Sequence, residues 1–413
     1  YLTEDEWHYI SAPVDNPLAG VFMGMYMMEW DEPSGTWTYI SDENYPLTTD
    51  MEGFAIWTMD PGTAVFSGNL NTGAKSIMAT NTMAALHNNK GFNFAGNPYP
   101  SSLDWNVDDG SGWTRTSGNI DLSLYIWNQT YLNYGVYVKG GGTGTNDVDN
   151  VIPPHQGFFV SVSPGQATGT LGVNNGARIH ASKDILKSGE ILNDLLKFRV
   201  TGNNYADEMI VQIDPLASVN ADQMDATKFR GSAAAPQLYS ISKDNKELSI
   251  NSFPVQDDYM VIPVGLEVGA DAVYTISVSD FAGFEFSSGI YLEDLKEGTF
   301  TKLESNSTYS FNANPLDEPM RFLLHMSSEL AVAENNVGLS SIRVYAFNSD
   351  VYVTSENGLS GKVMIYDLLG REIVNEKLNG GTMNKFDLSG HQGYMVVRVT
   401  DETGNLNQKV YIR

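Results

Sequence analysis

The sequence predicts an all-β protein built from tandem antiparallel β-sandwich or jelly-roll-like domains. Two observations carry that expectation. Short runs rich in Val, Ile, Tyr and Phe recur along the chain, among them KFRVTG (197–202), EMIVQID (208–214), QLYSIS (237–242), VYTISVSD (273–280) and RFLLHM (321–326). Gly, Asn, Asp and Ser separate them at the spacing of sandwich strands. Helical periodicity is almost missing as well. The best helix candidate, IMATNTMAALHNN (77–89), is short.

Near the end, GKVMIYDLLGREIVNEKL (361–378) has two apolar runs flanking a turn, and GYMVVRV (393–399) follows. Val363 and Ile365 alternate with solvent-side residues, as in a half-buried strand. Gly370 stands where the turn needs positive φ. These runs predict a small immunoglobulin-like sandwich that closes the chain.

At 413 residues the chain can hold several cores. Its formal net charge of −26 argues against nucleic acid or an anionic membrane as partner. No apolar run reaches the length of a membrane span. With no cysteine, thiol catalysis, thiolate metal sites and disulfides are excluded. No basic, apolar leader precedes Tyr1, so a signal peptide is absent or already removed.

Charge and tryptophan divide the chain. Residues 337–413 carry 8 Lys+Arg and 8 Asp+Glu, so the whole net charge lies upstream. All 7 Trp fall before residue 130. Polar, poorly periodic stretches at 174–194 and 327–341 place boundaries near 185 and 335. Three domains are expected: 1–185, 186–335 and 336–413. The first contains an echo, with halves at about 1–75 and 90–170. WHYISAP (7–13) matches FNFAGNP (92–98), MYMMEW (25–30) matches LYIWNQ (124–129), and GFAIW (53–57) matches GFFVS (157–161). An ordered set of three matches points to duplication of a β unit.

Motifs for chemistry are scarce. The six histidines (His8, His87, His155, His180, His325, His391) give no pair at helix spacing, hence no H-E-x-x-H. There is no G-x-S-x-G elbow, and GGGTGT (140–145) lacks the Lys-Ser/Thr end of a phosphate loop. Among so many acids, any pair for glycoside hydrolysis could be named, and none stands out. DWNVDDG (104–110) sets Asp104, Asn106 and Asp108 at the alternate positions of a calcium loop. However, Asp109 replaces the turn glycine and Arg115 the bidentate Glu. Ca²⁺ is therefore a candidate ligand without an assigned metal site, and no cofactor is expected. NDVDN (146–150) is a second acidic loop.

The aromatics can be read in two ways. Flat rings beside acids and amides grip sugars, and the same rings fill sandwich cores. Trp7, Tyr26 and Tyr125 lie within the echo and suit a core. Trp37, Trp113 and Tyr134 sit in loop-like surroundings and are the expected exposed ligand-binding rings.

The segments GFNFAGNPYPSSLDW (91–105) and VIPPHQGFFV (151–160) resemble the membrane-distal β region of large exported Bacteroidetes surface proteins. Residues 207–231 and 291–311 resemble the sandwich that follows it there. The last 75 or so residues resemble the type A C-terminal sorting domain of type IX secretion substrates, through 341–353, 361–373, 386–399 and 405–413. Asp367, Gly370, Arg371, Gly393 and Tyr394 fall on its motif. AFNSD (346–350) lacks the Pro common in that family's first turn.

That resemblance implies export by the type IX secretion machinery to the outer-membrane surface or the extracellular space. It also implies a non-catalytic module of adhesin or scaffold type, touching a glycan or a host or cell-surface protein. A glycan-binding accessory region of a surface protein or secreted hydrolase is the alternative. An enzyme with its site in 1–185 is the least favoured class, since no catalytic motif supports it.

Overall fold

The computed structural model describes residues 1–47, 51–82, 89–180, 195–254, 260–282, 290–326, 342–347, 349–355, 358–401 and 404–412. The boundaries expected near 185 and 335, and residues 83–88 of the helix candidate, lie outside them. The described chain is all-β, with 3₁₀ turns at Ala19–Phe22 and Asn175–Ala177. The described start of the helix candidate is a strand, Lys75–Thr80, paired with Thr168–Val173. Its Ile77 and Ala79 turn inward while Ser76 and Met78 face solvent, so a period of two prevails there.

Two compact units form. The first comprises Tyr1–Pro254, Gly265–Phe284 and Thr308–Met320. The second comprises Val255–Val264, Glu285–Ser307 and Arg321–Arg413.

The first unit opens with two four-stranded antiparallel sheets of the same connectivity. One runs Trp7–Ile10, Phe54–Trp57, Tyr26–Asp31, Thr36–Tyr39 in spatial order. The other runs Phe92–Gly96, Gly157–Ser161, Ser123–Asn128, Asn133–Val138. The registers agree as well. Tyr9 faces Ala55 in the first sheet, and Phe94 faces Phe159 in the second. Met28 also faces Ala55, and Tyr125 faces Phe159. Met28 is thus the counterpart of Tyr125, Trp30 of Trp127, and Trp37 of Tyr134. The sequence match that laid Tyr26 on Tyr125 is shifted by two residues.

The two halves also meet reciprocally. Ile10 bridges Gln156, and its counterpart Ala95 bridges Glu52, the counterpart of Gln156. The Ser11 N–H donates to the His155 carbonyl (2.8 Å), and the Gly96 N–H donates to the Met51 carbonyl (2.7 Å). Met51 and His155, which also correspond, both hold positive φ, 52° and 62°. A Cβ on Gly53 would lie 2.5 Å from the Ala95 carbonyl, and one on Gly157 2.7 Å from Phe94 and 3.0 Å from Ile10 N. Both glycines are required because a backbone passes where a side chain would stand. Such two-fold reciprocity is the pattern of an isologous interface, here within one chain.

Each sheet has a private core on its outer face. For the first sheet this is Met27, Ile40, Phe54 and Ile56 with Phe22 and Leu47. For the second it is Leu124, Tyr137, Phe158 and Val160 with Trp105 and Trp113. The facing sides share a third core. The sandwich that follows adds Leu195, Ile210, Ala226, Phe229 and Ile250 to it. That sandwich's strands in this unit lie in the order Thr308–Ala313, Ala272–Ala282, Leu195–Gly202, Tyr205–Ile213, Glu247–Phe253, Gln237–Ile241. The pairing of Tyr205–Ile213 with Glu247–Phe253 is parallel.

The second unit carries Ile290–Asp294 between Thr299–Leu303 and Met320–Met326. It ends in a seven-stranded sandwich. One sheet is Ile342–Phe347, Asp350–Ser355, Met383–Asp387, and the other is Glu372–Lys377, Lys362–Asp367, Gly393–Asp401, Gly404–Ile412. Val363, Ile365, Val397 and Val399 fill its centre, fully buried. Buried His325 faces Glu293 (Nε2 to Oε2, 2.9 Å) and lies 3.3 Å from the Tyr345 hydroxyl. Tyr345 stacks on Tyr352 with ring centroids 5.0 Å apart.

Candidate functional site

Two features stand out: the aromatic junction of the first unit and the hairpin tip of the terminal sandwich.

At the junction Tyr9 meets its counterpart Phe94 edge-on, with centroids 5.0 Å apart. Around this pair, Tyr9 lies 6.3 Å from Tyr134, and Phe94 lies 5.2 Å from Trp37, again a matched pair of contacts. The Trp30 indole N–H donates to the Phe92 carbonyl (2.7 Å), and its ring stands edge-on to Phe159 at 5.2 Å. Phe229 enters from the following sandwich. It stacks on Phe92 at 4.1 Å and lies 4.3 Å from Tyr134 and 4.9 Å from Phe159. The hydroxyls of Tyr9 and Tyr134 share a hydrogen bond of 3.0 Å, and burial pushes both phenols well above their ordinary range.

These positions correct the expectation of exposed rings. Trp113 is fully buried, with its indole N–H on the Asp104 carbonyl and its ring against Trp105. Tyr134 is buried in the junction. Trp37 is half-buried among Tyr9, Trp30, Phe94 and Phe159. Trp113 and Tyr134 lie in strands whose Gly- and Asn-rich neighbours read as loops. Tyr26, expected in a core, is 48% exposed.

A carboxylate accepting from neutral donors ties the first sheet to the stretch 80–91 that leads into the second half. Buried Glu32 accepts the N–H groups of Thr82 (2.9 Å) and Gly91 (2.7 Å) and the hydroxyls of Thr82 (2.7 Å) and Thr80 (3.1 Å). Burial pushes its carboxyl upward, but these four donors outweigh that and hold it below the ordinary value.

In the acidic loop, oxygens of Asp104, Asn106 and Asp109 have protein partners. Asp104 Oδ1 accepts from Asn106 N (2.9 Å) and Asn150 Nδ2 (2.7 Å), and Asn106 Oδ1 accepts from Gly140 N (2.8 Å). Asp109 pairs with Arg115 and with Lys139. Among the described residues no group of three or more His, Asp or Glu is placed to hold a metal ion. Calcium is expected to raise the melting temperature no more than magnesium at matched ionic strength. A calcium-specific rise that Asp104→Ala removes would overturn this. Elsewhere burial pushes Asp225 up to about 7. Its oxygens accept the Ser252 and Asp222 N–H groups, 2.7 Å each, so it closes a turn.

At the tip, Asp367 folds the turn onto itself. Its Oδ1 accepts the N–H groups of Leu369 and Arg371, 2.9 Å each, and Oδ2 accepts from Arg371 Nε at 3.1 Å. These donors lower its carboxyl pKa. Gly370 takes φ 82°. The result thrusts Leu368 and Leu369 outward, 62% and 94% exposed. Gly393, at φ 107°, opens the strand that carries Tyr394. Tyr394 lies edge-on to Tyr411 at 5.0 Å with Lys409 Nζ 3.9 Å over its ring.

The chain is similar to the minor fimbrium subunit Mfa5 of Porphyromonas gingivalis, 24% identical over 87% of this chain and 32% of that protein. It therefore spans about a third of that relative's length. A solved structure titled "Biofilm associated protein - BSP domain" aligns over 99% of this chain and 97% of its own at 10% identity. Its TM-score of 0.20 is too low for a shared fold. Residues 28–326 match the family described as a domain of unknown function, DUF8693, and the chain belongs to that family.

Proposed function

We propose that this chain is a non-catalytic, adhesin-type module of a Bacteroidetes surface protein, exported through its terminal sandwich. The observation that carries the reading is the tip at 367–371. There a self-capped turn spends its polar groups internally and presents two leucines to solvent. An exposed apolar pair on a rigid hairpin has no packing role of its own and suits recognition by another protein. Similarity to a fimbrial subunit supports a cell-surface or extracellular location. No helix among the described residues is long and apolar enough to cross a membrane.

The test is display in a type IX-secreting host. Removing Val337–Arg413 is expected to leave the product in the periplasm. That truncation also uncovers His325, so the double variant Leu368→Asp/Leu369→Asp is the sharper probe. It should melt normally and still lose surface labelling on intact cells. Normal display of both products would refute the export reading.

A further inference from the structure

The two-fold relation between the halves shows a face that is covered in one half and open in the other. In the second half, Phe92, Tyr125, Val136 and Phe159 are buried beneath the following sandwich, with Phe229 as the inserted ring. The counterparts in the first half are Trp7, Met28, Tyr39 and Ala55. Tyr39 is 52% exposed and Trp7 and Met28 are only half-buried, while Ala55 is buried.

Composition sharpens the contrast. Where the covered face has Ser123 and Ser161, the open face has Tyr26 and Trp57, which face each other with rings 5.5 Å apart. Tyr26 also meets Tyr39 at 6.0 Å. The face without a cover thus carries more aromatic surface than the face with one. Burial within the chain alone would favour the reverse. Where the covered face has Phe159, the first sheet has the smaller Ala55, which is itself buried.

Charge defines the rest of the occupant. Residues 1–74 contain 12 Asp+Glu and no Lys or Arg. Three of the acids, Glu4, Asp5 and Glu6, directly precede Trp7. In the covered half the ring arrives alone, because Lys228 turns to Asp207 and Arg230 to Glu247 and Glu267. Residues 1–74 supply no such cations, and their acidic field selects a basic partner.

We propose that the open face of the first sheet, formed by Trp7, Tyr26, Met28, Tyr39 and Trp57, docks a partner protein through an aromatic side chain flanked by basic residues. The ring packs on this face as Phe229 packs on the corresponding face of the second half. This site is independent of the export route.

The full chain is titrated with the synthetic peptide Ala-Thr-Lys-Phe-Arg-Gly-Ser, copied from residues 226–232, and followed by calorimetry and tryptophan fluorescence. Saturable binding is expected, weakening as salt rises. Replacing the peptide's Phe by Ala should abolish it. Tyr26→Ser and Trp57→Ser, which install the residues of the covered half, should each weaken binding about tenfold or more. If Trp57→Ser lowers the melting temperature, Tyr39→Thr at the exposed edge gives the same readout. The proposal is overturned by any of four results. These are no saturable binding, equal binding of the Phe→Ala peptide, indifference to the face variants, or a face that instead binds chito-oligosaccharides. A dimer in sedimentation that Tyr26→Ser dissolves would assign the face to a second copy and overturn it too.

Discussion

Phe229→Ala is expected to destabilise the first unit by about 3–5 kcal/mol, the range for removing a buried aromatic ring. Phe229 is 4% exposed, and its ring meets Phe92, Tyr125, Tyr134 and Phe159 together. Its loss opens a cavity at the meeting point of three sheets, where none of the walls can move inward without breaking its own strand pairing. Phe229→Leu should recover more than half of the stability. Urea unfolding followed by tryptophan fluorescence reports the change, since Trp30 lies 6.4 Å from the ring. A loss below about 1 kcal/mol, the scale of an ordinary surface change, would mean that the sandwich and the paired sheets do not depend on one another.

Glu32→Gln should cost about 2–4 kcal/mol near neutral pH, because two backbone N–H groups and two hydroxyls lose a charged acceptor and meet an amide that can accept at only one end. The pH dependence has a definite sign. The folded carboxyl titrates below its unfolded value of about 4.3. The stability it provides is therefore complete above that value and disappears as pH falls through the lower folded one. The gap between wild type and Glu32→Gln should accordingly narrow on acidification below about pH 4. A gap that stays constant down to the acid limit would show that the cost is steric.

The strands were legible because their pattern is local. Val363 and Ile365, both fully buried, alternate with Lys362, Met364 and Tyr366, which are exposed or half-buried. The order of strands in the two halves was legible too, but the register was not. Tyr26 and Tyr125 look alike in sequence. What fixes their true partners is Ala55 and Phe159, about 30 residues away in each half. Helical spacing at 77–80 gave way to pairing with 168–171, a long-range contact that no window can show. The aromatic candidates failed for a related reason. Glycines and asparagines beside Trp113 and Tyr134 suggested loops, yet Gly135 serves a tight approach to Val148 and Thr145. Phe229 stands between Lys228 and Arg230, a charged pair that in sequence suggests solvent, whereas in the structure both cations face buried or half-buried acids.

The core shared by three sheets also sets an order of assembly. Tyr9 and Ile10 must find partners near residues 134 and 156, and the pocket they help to form is sealed only when Phe229 and Ile250 arrive. Loops of that length close slowly, since chain entropy is lost long before the contact repays it. A chain made or moved from its N-terminal end therefore holds both duplicated sheets half-finished, with aromatic faces bare, until about 250 residues are available. During that interval either half could pair with strands of the other, because their registers match. The 12 acids of residues 1–74 meanwhile keep neighbouring chains apart by repulsion. Folding of this region is thus expected to be limited by completion of its last third rather than by formation of its first sheet.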